Sequence, residues 1–279
     1  MIRKTSLFLS STLALLVACQ PIQNYRHPDE PMYVGNFAQT SPDFQGELKV
    51  ITWNIKFSKL IEQASAELSE VEELQDADIL ILQEMDEAGV ATIAQALNYN
   101  YVYFPASVHT HHDKNFGNAI LSVWPISEPA KLLLPYQNPR NRQMRIAVKA
   151  VITVGATELV VYSIHTETVW LNGQRRKEQV ETLLQNIGKD QPHIIVAGDF
   201  NTFTAHSIIE LEQQFAQFGL ERISRGAGYT FERGKFGFTL DHIFARGASD
   251  GTTGVWRNTS ASDHYPLWAK LSLNGESKD

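Results

Sequence analysis

From Glu47 onward the chain alternates between two hydrophobic periods. "ELKVITWNI" is a β-rich run, "SKLIEQASAELSEVEELQD" spaces its apolar residues at helical intervals, and "ADILILQE" is a short apolar run ending in polar residues. "AGVATIAQALN" returns to helical spacing. Further on, "RIAVKAVITV" and "TELVVYSIH" are separated by Gly155 and predict a hairpin, "NGQRRKEQVETLLQNIGK" a helix, and "PHIIVAGDF" a buried strand. The last strands are expected near "LDHIFAR" and "HYPLWAKLSL". Helices alternating with strands, followed by hairpins, predict an α/β chain with mixed sheets face to face and helices outside.

The N-terminus does not share this alternation. Arg3 and Lys4 precede "LFLSSTLALLV", too short to span a bilayer and matching the apolar region of a signal peptide, so residues 1–18 are expected to be removed. "LVAC" resembles the lipobox of bacterial lipoproteins, which makes Cys19 the expected lipidation site and the mature N-terminus. Cys19 is the one cysteine of the sequence, so a disulfide within the chain is excluded. Residues 19–46 hold Pro21, Pro28, Pro31 and Pro42 with little periodicity and read as a tether. The domain itself is expected over 47–273, with 274–279 as a tail. If the cell has two membranes, Gln20 resembles the sorting pattern for an outer-membrane anchor facing the periplasm.

A length of 279 residues, 43% hydrophobic, fits one generous domain, expected as a monomer. Losing Arg3 and Lys4 with the signal takes the 24 basic residues to 22 against 31 acidic, and the formal charge from −7 to −9. Extended nucleic-acid binding is disfavoured by that balance, although a local basic cleft can hide inside an acidic total.

Several apolar runs end in a residue that a strand end does not require. Asn54 follows "VITW", Glu84 follows "ILILQ", His165 follows "VVYSI", and Asp199 and Asn201 follow "IIVAG". Asp241 in "TLDHIF" and the adjacent Asp263 and His264 in "SDHYPLW" join them. Each alone reads as a turn former or a solvated group. Together they form a set that turn chemistry does not explain, presented by strand ends into one crevice.

Carboxylates and amide oxygens are hard ligands suited to Mg²⁺, with Mn²⁺ as the alternative, whereas a zinc site favours cysteines or closely spaced histidines. A divalent ion on oxygen ligands with two histidines nearby suits phosphate-ester hydrolysis, in which charge builds on phosphoryl oxygens and water must be activated. Neither a glycine-rich phosphate loop nor a serine-hydrolase elbow is present.

"ITWNI", "LQE", "GNAILS", "SIHTE", "GDFN", "LDHIF" and "SDHYPL" resemble, in order and spacing, the motifs of the endonuclease/exonuclease/phosphatase superfamily, which has the fold of deoxyribonuclease I. The resemblance covers roughly Glu47 to Leu273. It implies a four-layer α/β sandwich, two mixed β-sheets face to face flanked by helices. It also implies Glu84 as principal Mg²⁺ ligand with Asn54 beside it and Asp263 sharing the ion. His264 is then the base-like histidine oriented by Asp241, and Asp199 aligns or deprotonates the attacking water. His165 and Asn201 hold or protonate phosphoryl oxygens, and Arg145 in "MRIAVKA" matches an arginine near the phosphate, an exposed strand arginine being the other reading. Water attacks phosphorus in line, with no covalent intermediate. For Asn118 three readings stay open: a phosphate oxygen, His165, or the backbone.

The sequence departs from relatives in places. Lys56 stands where the family's abasic-site nucleases carry an acid, Val123 where many relatives have a basic residue, and Thr166 where leucine is common. Two segments are candidates for selecting substrate. "ASVHTHHDKNFGN", with His109, His111 and His112, reads as a solvated loop before a second metal site; "TETVWLNGQRRK" offers Trp170 as a stacking or a packing residue. Arg176 and Gln179 match a family pattern read here as structural, and Thr204 is expected to cap the helix after "GDFNTF".

The leading expectation is a metal-dependent phosphoesterase acting on a small or lipid-borne phosphate ester at the cell envelope. The rival is a secreted nuclease for DNA or RNA; a non-catalytic binding protein of the same fold is disfavoured because every motif position carries its expected residue type.

Overall fold

A computed structural model describes residues 22–109, 112–168 and 173–273. Cys19, His111, Trp170, the signal segment and the 274–279 tail lie outside the described residues. In chain order the elements are β1 (Tyr33–Asn36), β2 (Glu47–Asn54), α1 (Ile61–Glu70), β3 (Ile79–Met85), α2 (Glu87–Leu97), β4 (Asn100–Val108), β5 (Asn115–Ser122), β6 (Ile126–Gln137), β7 (Met144–Val154) and β8 (Thr157–His165). There follow α3 (Gly173–Gln185), β9 (Ile194–Asp199), α4 (Ala205–Ala216), β10 (Glu221–Arg222), β11 (Phe231–Arg233), β12 (Phe236–Phe238), β13 (Asp241–Arg246), β14 (Ala248–Val255) and β15 (Leu267–Leu273).

Two mixed sheets, ordered β1-β4-β5-β3-β2-β15-β14 and β10-β13-β9-β8-β7-β6, stack on one another, and β11-β12 forms a separate hairpin. Period-two alternation explains the layering. Leu48, Val50, Ile79, Ile81, Val148, Ala150, Val161, Ile195 and Ala197 point between the sheets. Their neighbours point outward: Ile51, Trp53, Leu80 and Leu82 pack under α1 and α2, while Val160, Tyr162, Ile194 and Val196 pack under α3 and α4. Both faces of the central strands are therefore dry, which is why "VITW", "ILIL" and "IIVA" read as unbroken apolar runs. At ~1.5–3 kcal/mol per fully buried aliphatic side chain, these three apolar layers are the main favourable contribution to the fold. The result is the expected four-layer α/β sandwich.

The pairs β2/β3 and β8/β9 are parallel, joined by α1 and α3 as crossovers. Their carboxyl ends meet at one end of the sandwich, and the site is built there.

Of the tether expected over 19–46, the described residues 22–46 are fastened to the domain. β1 pairs antiparallel with β4, Lys131 Nζ donates to the carbonyls of Tyr25 and Glu30, and Trp124 Nε1 donates to Pro42 O at 3.1 Å. The prolines and the shortness of β1 hide this edge pairing from a periodicity reading. Among the described residues, no helix is long and apolar enough to cross a membrane.

Candidate active site

Each site residue is aimed by a local backbone feature. Glu84 lies in β3 with φ +57°, at a register shift between Leu82 and Met85 against β5. Such a bulge re-aims a side chain that a regular strand would bury under the helices. In the second sheet, His165 and Asp199 are register partners in the parallel pair, and Asp241 faces Asp199 across the antiparallel one. Gly198 permits that spacing, because a Cβ there would stand 1.9 Å from Ile164 O at a φ of +147°. His264 sits in the loop before β15. Its carbonyl accepts from Trp53 Nε1 at 2.9 Å and its N–H donates to Ser262 Oγ at 3.2 Å, while Ser262 Oγ donates to Asn54 O at 2.6 Å.

These supports bring the two sheets together in one chain of polar contacts, hydrogen-bonded at His264–Asp241, Asn54–Asp199 and Asn201–Asp199. His264 Nδ1 lies 2.9 Å from Asp241 Oδ2, and its Nε2 lies 3.9 Å from Asp199 Oδ2. Asp199 Oδ2 also accepts from Asn54 Nδ2 at 3.1 Å and lies 3.4 Å from His165 Nε2. Its Oδ1 accepts from the Asn201 N–H at 2.8 Å, Asn201 being held at φ +51°. His165 Nε2 is 3.9 Å from Glu84 Oε1. A recess of about 200 Å³ adjoins the chain, lined by Thr168, Asn201, Phe203, Phe231, Arg233, Leu240 and His264.

The electrostatics separate the two histidines. Burial, Arg145 and His264 together hold His165 well below the usual histidine range, so it is neutral. Burial also pulls His264 down, but Asp241, Asp199 and Asp263 outweigh it and lift the imidazole to about 10, so it is protonated. Burial raises the Asp199 carboxyl, and the His264 charge opposes the rise. Glu84 is likewise raised by burial, against Arg145, His264 and a hydrogen bond from Asn54.

The donor set fits a hard divalent ion. Glu84 has no lysine or arginine within ion-pairing distance among the described residues, and Asn54 shares its corner. A desolvated carboxylate without a fixed cation beside it suits a bound ion. Asp199, Asp241 and His264 form a tighter cluster, with donor atoms within 4.8 Å of one another. There, however, the His264 Nδ1–H donated to Asp241 Oδ2 already places a proton where an ion would sit. Asp263, expected to share the ion, is 42% exposed and pairs with Lys56 at 3.0 Å.

Arg145, expected near the phosphate, is buried rather than an exposed strand residue, with Nη1 3.2 Å from each ring nitrogen of His165. Behind it stands Glu167, fully buried, 3.9 Å from Arg145 Nε and accepting from Asn138 Nδ2 and the Thr168 N–H at 2.9 Å each. Sequence reasoning gave Glu167 no role; its signal was an acid two positions past a motif histidine. Gln179 is structural as expected, its Oε1 accepting from the Glu167 N–H at 2.8 Å. Of the three readings of Asn118, the backbone one holds: Nδ2 donates to Ile146 O and Ser163 O, both at 3.2 Å, pinning the sheets together. Its remaining oxygen would repel a phosphate oxygen.

Within the loop expected to be solvated, Asp113 and Lys114 are exposed but the two described histidines, His109 and His112, are not. His109 is buried, stacks on His112 at 4.6 Å and lies 4.4 Å from Phe57. Thr204 caps α4 in a reciprocal pair with Ser207, and Phe203 stacks on Phe238 at 4.1 Å.

The chain is 26% identical over 261 residues to a UPF0294 protein of Vibrio cholerae, covering 91% of this chain and 85% of the relative. A UPF0294 protein of Erwinia tasmaniensis is 27% identical over 267 residues, 92% and 94% of the two chains. Among solved structures, an endonuclease/exonuclease/phosphatase from Beutenbergia cavernae superposes with a TM-score of 0.67 at 19% identity, over 83% of this chain and 72% of its own. A mannosyl-6-phosphatase of Bacteroides thetaiotaomicron gives 0.65 at 18%, over 81% and 100%. The model of the Endonuclease/Exonuclease/phosphatase family matches residues 51–264, which hold every site residue from Asn54 to His264. The chain belongs to the Endonuclease/Exonuclease/phosphatase family.

Proposed function

We propose that the protein is a Mg²⁺-dependent phosphoesterase, Mn²⁺ being the alternative ion, which hydrolyses a small-molecule or lipid-borne phosphate ester at the cell envelope. The observation that carries this reading is the chain of contacts from Asp241 through His264 and Asp199 to Asn54, with Glu84 alongside and no lysine or arginine ion-paired to it among the described residues. Glu84 and Asn54 would hold the ion, which supplies Lewis-acid stabilisation of a phosphoryl oxygen.

The chain's own residues account for the rest of the chemistry. Asp199, fixed by donors from Asn54 and Asn201, orients the attacking water and takes its proton. His264, kept charged by Asp241, offers Nε2–H to an oxygen that gains charge as the ester bond lengthens. Arg145 and neutral His165 lie side by side, where a cation and an N–H can hold the non-bridging oxygens. Asn201 closes the same corner.

The lipid anchor on Cys19 and the envelope location belong to this reading and rest on the N-terminal sequence pattern. The substrate class in this reading is supported by the acidic net charge, which disfavours an extended polyanion, and a solved structure of the same fold is called a mannosyl-6-phosphatase. Another is a D. rerio TDP2 complexed with single-strand DNA product, at 19% identity and a TM-score of 0.64. A metal-supplemented panel of sugar phosphates, phospholipids, a generic phosphodiester, RNA and plasmid DNA tests the reading. Turnover is expected on a small or lipid-borne ester with shallow salt dependence. Preferred cleavage of DNA or RNA, lost steeply as salt rises, would assign the site to a nuclease instead.

A further inference from the structure

Lys56 begins the short 3-10 turn that follows Asn54. Its N–H donates to Asn54 Oδ1 at 3.1 Å, and its ammonium meets Asp263 Oδ2 at 3.0 Å. The two side chains are 39% and 42% exposed, so the pair sits at the open rim of the site. Ion pairs this exposed add little to stability. The backbone nevertheless holds Lys56, Phe57 and Ser58 at φ +28°, +60° and +52°, a left-handed run that side chains with a Cβ disfavour. Ser58 secures the turn, its N–H donating to Ile55 O and its Oγ accepting from the Asp86 N–H, both at 2.9 Å. The turn sets the ammonium beside Asp263, the sequence neighbour of His264.

Charge gives that ammonium a purpose. Glu84, Asp199, Asp241 and Asp263 surround the cleft, and a phosphate ester arrives as a further anion. Arg145 is buried deep, wedged against His165, so it cannot greet the ester at the rim. Lys56 stands there, directly beside Asp263, whose oxygen is committed to it. A second divalent ion on Asp263 would have to evict this ammonium.

We infer that Lys56 is a substrate-phosphate ligand, positioned by Asp263, and that it supplies at the rim the positive charge a second ion would bring, so the site binds one divalent ion. The inference rests on the phosphoesterase reading above. Lysine serves this purpose as a compact point charge, able to swing between Asp263 and a phosphate oxygen.

The test uses the full chain, Mn²⁺ as the metal probe and inorganic phosphate as the ligand probe, both followed by calorimetry, with circular dichroism to verify folding. Wild type is expected to bind one Mn²⁺. Lys56→Met should keep that stoichiometry while its Kd for phosphate in saturating Mn²⁺ weakens about tenfold or more, the loss of one charge-assisted contact. Asp263→Asn should hold Mn²⁺ within about threefold of wild type, yet bind phosphate more weakly. Two Mn²⁺ per wild-type chain, unchanged phosphate affinity in Lys56→Met, or tenfold weaker Mn²⁺ in Asp263→Asn would each overturn the inference while leaving the phosphoesterase reading intact. A wild type that neither binds Mn²⁺ nor hydrolyses any ester overturns both.

Discussion

Asn54 on the first sheet donates a 3.1 Å hydrogen bond from Nδ2 to Asp199 Oδ2 on the second, joining the carboxyl ends of the two parallel strand pairs. Both residues are at most 1% exposed, so the bond is shielded from water. It sets the separation between the Glu84 corner and the histidine corner, and with it the geometry of the proposed reaction.

Replacing Asn54 by alanine leaves a buried carboxylate short of a donor. The expected cost is about 1–3 kcal/mol in stability, read as a lower urea midpoint, together with a fall of more than ~100-fold in kcat/KM. Wild-type stability in this variant would mean that the bond does not hold the sheets in register.

In the proposed reaction Asp241 acts on the substrate only through His264, 2.9 Å away. Asp241→Asn should therefore lower kcat by roughly 10²–10⁴ with KM nearly unchanged, since the imidazole loses both its orientation and the charge that keeps it protonated. A change confined to KM would point instead to a binding role.

Gly198 can be tested without touching a catalytic group. A Cβ there would approach Ile164 O to 1.9 Å at a φ that L residues rarely adopt. Gly198→Ala is expected to destabilise the fold by more than ~3 kcal/mol or to yield insoluble chain, as measured by denaturant unfolding.

His242 governs part of the acid response. Thr202 Oγ donates to Thr239 O at 2.8 Å, so at 2.7 Å the His242 Nε2 must be the N–H that donates to Thr202, leaving Nδ1 bare toward Arg222. Burial, then Arg222, pushes its pKa down from 6.5 to about 3. Between those values the unfolded chain takes up a proton that the folded chain refuses, so stability is lost as pH falls through that window. His242→Gln should flatten the slope of the unfolding midpoint between pH 6.5 and 4; an unchanged slope would assign the acid response to other groups.

The architecture was legible because both faces of the central strands are buried. "VITW", "ILIL" and "IIVA" could be little else, and Asn54, Glu84 and Asp199 at or just past their ends, singled out as site candidates, are brought to one end of the sandwich. Three features were less accessible. β1 is short and flanked by prolines, so its pairing with β4 leaves no periodic trace. Asn118 is pinned by two carbonyls from another sheet, and the spacing of "GNAILS" carries no information about them. Glu167 and Lys56 draw their meaning from Arg145 and Asp263, partners distant in sequence that only the fold brings near.

The central claim is that Glu84 and His264 serve one metal-dependent hydrolysis. Its most direct test is turnover of the best ester from the panel by wild type, Glu84→Ala and His264→Ala, each in Mg²⁺ and in excess chelator, with folding verified by circular dichroism. Hydrolysis is expected from wild type with Mg²⁺ alone, and both folded variants should lose activity by more than ~10³-fold. Undiminished turnover in either variant, or in wild type with excess chelator, would contradict the account.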